Sequence, residues 1–346
     1  MTESPSPGQR VRAVAPGRVN IIGDHTDFTG GLVFPMAIAN SVIIEGERGG
    51  DVVRLTSDSQ AEPAVVPLGN TSPDGIAPDW ARYVAGVVAE MQPTVGFVGH
   101  VTSTVPPGAG LSSSAALEIA VALALGFDGP QIELAQLGRR AEHWASGVPC
   151  GIMDQLASVC GQAGRALMID CHTLDVTPVP LPEGIDVVVI HSGQHRTLAG
   201  SGYADRVRQC RDAEVAVGPL RLAGLDDLAP LAHDTMLLRR ARHVITENLR
   251  VRLFAAALAS VEMVVAGGIM NDSHASLRDD FETSTPHVDA LVASLQQQPG
   301  VYGVRITGGG FGGCVVALTE PGALDNSWGS ATWHVNPSPG ARVEVR

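Results

Sequence analysis

The sequence contains no lysine: all 23 basic residues among its 346 are arginines. A Walker A loop needs its lysine and a protein-kinase fold needs the lysine of its strand, so both are excluded. A nucleotide bound by this chain must be held by backbone amides, a helix N-terminus, hydroxyls and a metal. A cysteine framework is missing too. Cys150, Cys160, Cys171, Cys210 and Cys314 are an odd number with no C-x-x-C pair, so neither a zinc site nor a disulfide scaffold follows from them. A reduced, cytoplasmic protein is the expectation. No apolar run approaches ~18 residues. The richest stretch, Leu249 to Met270, is broken by Arg250, Arg252 and Glu262, and no membrane association is expected. Met1 to Gln9 is rich in Ser and Pro with no apolar h-region, which reads as a frayed terminus and not as a signal peptide. Positive charge is scarce. A net charge of -13 argues against a nucleic-acid partner, whose electrostatic footprint would be basic. Internal repeats and low-complexity segments are absent, and no obligate protein partner is inferred.

What is present is a globular composition, 45% hydrophobic and 17% charged, in a chain long enough for two domains and a sizeable core. The chain is organised around Ala15 to Gly31. Arg18 and Asn20 alternate with Val19 and Ile21, the pattern of a half-buried strand. Gly23 ends that strand, and Asp24, His25, Thr26 and Asp27 follow without interruption. This set suits a small, uncharged, hydroxyl-rich ligand, because carboxylates accept hydrogen bonds from several hydroxyls at once. The plain alternative is a polar turn beside an unrelated arginine.

Further along, apolar runs at Leu32–Ile38, Val42–Ile44, Val52–Leu55 and Ala64–Leu68 predict antiparallel strands. Trp80 to Met91 predicts a helix, and Phe97 to Thr104 a strand. Val105 to Glu118 then reads as strand end, glycine loop and Ala-rich helix, with Ser112, Ser113 and Ser114 at the helix start. Unpaired amides and the dipole favour anions there, so the chemistry fits a polyphosphate; a serine-capped helix after a glycine turn fits as well. Ile132 to Ser146 predicts a second helix and Gly151 to Cys160 a third. On the third, Ile152, Leu156 and Val159 share one apolar face, and Asp154 lies about 160° away at ~100° per residue. Asp154 faces solvent or a cleft, and an ordinary first-turn acid favoured by the dipole is the commoner case for a lone aspartate. Strand segments occupy 165–190. Tyr203 reads as a surface tyrosine ahead of an Arg-rich helix from Asp205, and Asp234 to Met270 as helical. The charged stretches Arg239 to Asn248 and Met270 to Asp280 read as solvated helix faces. Thr307 to Cys314 carries five glycines in six residues, which no regular strand accommodates. It is either a glycine-bulged hairpin or a loop whose backbone approaches a ligand.

Three of these stretches, in order, resemble the galactokinases, sugar kinases of the GHMP superfamily. Gly17 to Phe28 is similar to Gly-Arg-Val-Asn-Leu-Ile-Gly-Glu-His-Thr-Asp-Tyr, departing at Asp24 for Glu and Phe28 for Tyr. Pro106 to Ala115 is similar to Pro-x-Gly-x-Gly-Leu-Ser-Ser-Ser-Ala, and Gly308 to Gly313 to Gly-Gly-Gly-Phe-Gly-Gly. Gly151-Ile-Met-Asp-Gln155 also matches the family's active-site segment. The resemblance implies an α+β, two-domain GHMP kinase fold. Its N-terminal half would be ribosomal-protein-S5-domain-2-like (1–180) and its C-terminal half ferredoxin-like (181–346), with the active site between them. It implies ATP-dependent phosphorylation of α-D-galactose at the anomeric hydroxyl. Asp154 and Arg18 would be catalytic. Asp24, His25, Thr26, Asp27, Gly151 and Tyr203 would hold the sugar. Gly108, Ala109, Gly110, Leu111, Ser112, Ser113 and Ser114 would wrap the ATP phosphates, and Ser114 with Glu142 would hold Mg²⁺. The alternatives are a related kinase for N-acetylgalactosamine or arabinose, and a sugar- and ATP-sensing regulator that has lost catalysis.

Overall fold

A computed structural model describes residues 7–106, 108–194 and 199–345. Most of the terminus expected to fray, Met1 to Gln9, lies outside them. The first half runs β1 (Arg10–Ile22), β2 (Leu32–Arg48), β3 (Val52–Ser57), β4 (Gln60–Pro67), α1 (Ala81–Met91), β5 (Phe97–Ser103), α2 (Ser113–Ala124), α3 (Gln131–Ser146), α4 (Met153–Cys160), β6 (Arg165–Asp170) and β7 (Val176–Pro180). The second half runs β8 (Asp186–His191), α5 (Ala199–Val217), α6 (Thr235–Ala259), α7 (Met263–Asp279), α8 (Pro286–Gln296), β9 (Val301–Ile306), β10 (Cys314–Thr319), β11 (Ala331–Val335) and β12 (Arg342–Val345).

Two sheets organise these elements. The first has the order β12-β1-β2-β5-β3-β4, with β6 pairing the start of β2 and β7 pairing β6. The second is antiparallel with the order β11-β8-β10-β9. Numbered within that half, its strands lie fourth, first, third, second, which is the ferredoxin-like arrangement of a split β-α-β unit.

β1 is more buried than a strand with one wet face. From Ala13 onward every residue is buried, Arg18 and Asn20 included. The cause is cover on both sides: α2 and α4 pack on one face of β1, and α6 from the second half on the other. Polar residues on such a strand must find partners inside the protein.

Three local readings change, and the end of the chain adds two strands. The two runs at 32–38 and 42–44 belong to one strand, β2: its pairing with β1 is interrupted by a bulge over 38–40 and holds on both sides, at Ala37 with Arg18 and at Ser41 with Pro16. The single helix expected over 234–270 is two. Val261 takes a left-handed conformation, φ 57°, which a right-handed helix cannot continue. The Arg-rich helix begins at Ala199, ahead of Asp205. The Pro- and Gly-rich end of the chain forms β11 and β12, and β12 returns to pair with β1 in the first sheet.

Helix α7 lies directly on β9 through two glycines. A Cβ on Gly267 would sit 2.0 Å from the Tyr302 carbonyl oxygen, and one on Gly303 2.2 Å from the Gly267 carbonyl oxygen. Backbone on both sides cannot yield, so a methyl here acts as overpacking. Gly267→Ala is therefore expected to lower unfolding stability by about 1–3 kcal/mol, read from urea denaturation. Unchanged stability would mean that helix and strand are not in backbone contact.

Candidate active site

Arg18 draws three distant segments together. Its Nε donates to Asp154 Oδ1 at 2.7 Å, its Nη2 to Asp154 Oδ2 at 2.8 Å and its Nη1 to the Gly110 carbonyl at 2.7 Å. The two bonds to Asp154 form the bidentate fork that favours arginine over lysine. Asp154 stands in the first turn of α4, whose Ile152, Leu156 and Val159 are buried as the periodicity predicts. Its side chain is thereby presented to the cleft.

The glycine-serine loop before α2 supplies the next wall. Ser112 occupies the N-cap position in a left-handed conformation, φ 58° and ψ 49°, and does not cap the helix. Its hydroxyl donates to Asp154 Oδ2 at 2.5 Å instead. A serine that forgoes its cap to reach a carboxylate is placed by the site and not by the helix, the kind of local strain that gathers where chemistry occurs. Ser114 Oγ donates to Glu142 Oε1 at 3.0 Å. Burial, and then the charge of Asp154, raise the Glu142 pKa above the usual carboxylate range.

The turn after β1 closes the other end. Asp24 accepts from the Gly308 amide at 3.0 Å and pairs with Arg305 at 2.6 Å. His25 sits at φ 65° with both ring nitrogens buried and without a partner among the described residues. Burial, and then His243 and two arginines, push its pKa well below the usual imidazole value. Neutral, the ring offers one donor and one acceptor. Left unpaired and buried, each nitrogen costs free energy that a hydroxyl-bearing ligand would recover. Burial, and then Asp154, lift Asp27 to about 7. A Cβ on Gly151 would fall 1.8 Å from Asp27 Oδ2, so no other residue fits at 151 with that carboxylate in place. Tyr203 meets Phe28 edge-on and lies 5.7 Å from the His25 ring.

These groups enclose one cleft of about 520 Å³, within the usual range of ligand sites. Of the residues singled out in the sequence, Arg18, Asp24, His25, Asp27, Gly108, Gly110, Leu111, Ser112, Ser113, Ser114, Glu142, Gly151, Asp154 and Tyr203 line it. Thr26 and Ala109 do not. The Thr26 hydroxyl turns inward to the carbonyls of Gly23 and Leu32, at 2.9 and 2.7 Å, and locks the turn. Ala109 is buried behind the loop.

A model of the galactokinase galactose-binding signature matches residues 4–48; models of the GHMP kinase N-terminal and C-terminal domains match 82–162 and 256–327. Human galactokinase is 42% identical, the match covering 95% of this chain and 91% of the human one. The chain belongs to the galactokinase family. Galactokinase from Roseiflexus sp. (strain RS-1) is also 42% identical, over 90% of this chain and 84% of its own. Lactococcus lactis galactokinase, solved in complex with galactose, superposes with a TM-score of 0.88 at 29% identity, over 96% of this chain and 95% of its own. A mevalonate kinase at 18% identity and a TM-score of 0.67 shares the fold, matching 94% of this chain and 98% of its own.

The cleft has further walls and braces. Gly308 and Gly309 line it, from the five-glycine stretch read as a bulged hairpin or as a loop whose backbone approaches a ligand. Cys150 and Met153 line it too, and sequence reasoning missed both. The β9–β10 loop is pinned by Thr307, whose hydroxyl donates to the Asn20 carbonyl, and by the Phe311 amide, which donates to the Thr283 carbonyl. The charged stretches of α6 and α7 are not solvated faces. Arg240, His243, Glu247, Asn248, Ser273 and His274 are buried. Glu247 accepts from the Gly23 amide, Asn248 from the Leu32 amide, and His243 Nε2 lies 3.1 Å from the Asp24 carbonyl. They hold the polar turn from behind.

The raised Asp27 pKa has a consequence for stability. The folded protein binds more protons than the unfolded chain between about 4 and about 7, so Asp27 favours folding as pH falls through that window and opposes it above. Asp27→Asn removes the charge and keeps an acceptor. It is expected to raise the melting temperature relative to the parent more at pH 8 than at pH 5, by scanning calorimetry. Equal gains at both pH values would mean that Asp27 is not strained when ionised.

Proposed function

We propose that the chain transfers the γ-phosphoryl group of ATP to the anomeric hydroxyl of α-D-galactose, giving galactose 1-phosphate and ADP. The observation that carries this reading is the bidentate Arg18–Asp154 pair, set between the polar turn at one end of the cleft and the glycine-serine loop at the other.

Asp154 has four lone-pair directions, and three meet Arg18 Nε, Arg18 Nη2 and Ser112 Oγ. One at Oδ1 is left for the hydroxyl proton of the sugar, which Asp154 accepts as the oxygen attacks phosphorus. Arg18 carries the charge that develops on the transferred group, a role worth several kcal/mol in comparable sites. Asp24, His25, Asp27, Gly151 and Tyr203 fix the sugar. Gly108, Gly110 and the amides of Leu111 to Ser114, at the start of α2, hold the phosphates without lysine. The chemistry divides between two bodies, residues 1–180 and 181–346, that meet at this cleft, except that β12 at the end of the second belongs to the sheet of the first.

Mg²⁺ fits the residues present. No cluster of three or more His, Cys, Asp or Glu is arranged to hold a metal among the described residues. That suits Mg²⁺, which uses one or two protein oxygens and completes its shell with phosphates and water. Ser114 Oγ and Glu142 Oε1 stand 3.0 Å apart, as neighbouring ligands do at roughly 2.1 Å from one octahedral ion. When bound, the ion neutralises charge on the β- and γ-phosphates.

An assay of ATP consumption across galactose, N-acetylgalactosamine and arabinose tests the assignment. Galactose-dependent turnover is expected, and the lack of turnover with all three sugars would point to the regulator that shares the fold. Asp154→Asn is expected to lower galactose turnover by about 10²-fold or more. It also leaves the buried Arg18 short of a charge, so a lower melting temperature accompanies the loss. Near-parental turnover in the folded variant would remove Asp154 from the chemistry.

Asp24 gives a second test. The relatives that carry Glu here place a carboxylate about one C–C bond, roughly 1.5 Å, further out. The Asp24 carboxylate is also drawn toward Arg305 and Gly308. The kcat/KM ratio of galactose to 6-deoxygalactose is expected to rise in Asp24→Glu, by the equivalent of about 1 kcal/mol. If the ratio stays constant, carboxylate length does not set selectivity at C6.

A further inference from the structure

Behind Glu142, on the side away from Ser114, lies a small buried polar cluster that phosphoryl transfer has not yet used. Gln155, the residue after Asp154, is fully buried on α4. Its Nε2 donates to Glu142 Oε2 at 2.8 Å and to Glu118 Oε2 at 3.3 Å. Glu118 comes from α2, is fully buried, and has Oε1 without a partner among the described residues. A buried carboxyl group with an orphan oxygen costs stability that an apolar residue of the same size would avoid. It is placed here for what it does to a neighbour.

The two oxygens of Glu142 are divided. Oε1 faces Ser114 and Oε2 faces the Gln155 amide. A carboxylate with a free Oε2 would turn about its terminal torsion, which is broad and roughly two-fold, and present either oxygen or both. With Oε2 held, only Oε1 is offered to the cleft. The amide is itself held by its second N–H on Glu118. We propose that Gln155 and Glu118 are positioning residues that fix which oxygen of Glu142 is presented to the divalent cation bound with the nucleotide. Outer groups of this kind typically govern metal affinity by 10–100-fold. The inference rests on the assignment of Glu142 to the metal.

The test is equilibrium binding of ATP by calorimetry, without sugar, in excess Mg²⁺ and in excess EDTA. The quantity read is the ratio of the two dissociation constants, which measures how strongly metal supports nucleotide. Gln155→Leu is expected to shrink that ratio by 10–100-fold while galactose affinity without nucleotide stays within about 3-fold. Glu118→Leu should do the same more weakly. Glu118→Gln should restore the parental ratio, because its amide oxygen still accepts from Gln155. Glu142→Gln separates the two layers of the argument. If it leaves the ratio at the parental value, Glu142 is not a metal ligand and the positioning role falls with that assignment. If Glu142→Gln collapses the ratio and both Leu variants, folded by calorimetry, keep it, the metal assignment stands and the positioning role is overturned. A general structural defect would weaken galactose as much as MgATP, and that result also overturns the proposal.

Discussion

Arg305 is the constraint on which the two halves depend. It lies at the end of β9 with no exposed surface, the largest fully buried side chain of the protein. Nη1 meets the Ile21 carbonyl at 3.1 Å and Asp24 Oδ2 at 2.6 Å, and Nη2 comes within 3.8 Å of Glu247 Oε1. One guanidinium thus joins the second sheet, the turn after β1 and helix α6. Burial alone would raise the Glu247 pKa, but Arg250, His243 and Arg305 together hold it down to about 2. An ion pair this deep is weak grounds for stability, since its desolvation rivals its attraction. Its use is in registry. Any slip between the halves would strand two carboxylates or one guanidinium in the interior, at a cost of 3–5 kcal/mol by comparison with broken buried pairs. The polar turn that lines the cleft is therefore fixed by both halves and not by its own strand.

The same turn shows why the site is costly to build. Asp24, Asp27, Glu142 and Asp154 crowd one cleft with Arg18 as the cation on its wall. Without lysine, the positive charge rests on arginine forks and on the dipole and amides of a helix start. Arginine keeps its charge under burial, so Arg18 can sit 6% exposed and still be a guanidinium. The surplus of carboxylates is what a metal, a polyphosphate and a ring of hydroxyls would each relieve. Burial shifts Asp27 and His25 against their charged forms at one end of the cleft, and Glu142 against its charged form at the other.

Much of this was legible in the sequence, for local reasons. The apolar face of α4 put Asp154 on the opposite side by helical geometry alone. The missing lysine leaves backbone amides and hydroxyls as the holders of any bound phosphate, and the five glycines at 308–313 exclude a regular strand. The illegible parts are those set by distant residues. Arg240, His243 and Glu247 resemble a solvated helix face in one dimension; only the covering of α6 by β1, β2, α5 and α7 makes them interior. The break at Val261 depends on a backbone conformation that β-branched residues seldom adopt. The inward turn of Thr26 depends on the carbonyl of Leu32, and β12 on a partner more than 300 residues upstream.

The geometry around Asp154 bears on how such a site works. A strong base would be left unpaired, yet Asp154 is held by three donors and retains one acceptor direction. Phosphoryl transfer through a loose transition state asks little of a base, because bond formation to the nucleophile lags behind bond breaking and the proton leaves late. What it asks for is alignment. A carboxylate clamped by Arg18 and Ser112 cannot rotate, so its free lone pair has one direction, and a hydroxyl that satisfies it also has one orientation. Holding reactants in a near-attack arrangement supplies several kcal/mol of the barrier in comparable reactions. On the proposed assignment the clamp on Asp154 would itself be the catalytic device: it would exchange freedom of the base for direction, and place the charge of Arg18 beside the atoms where charge develops.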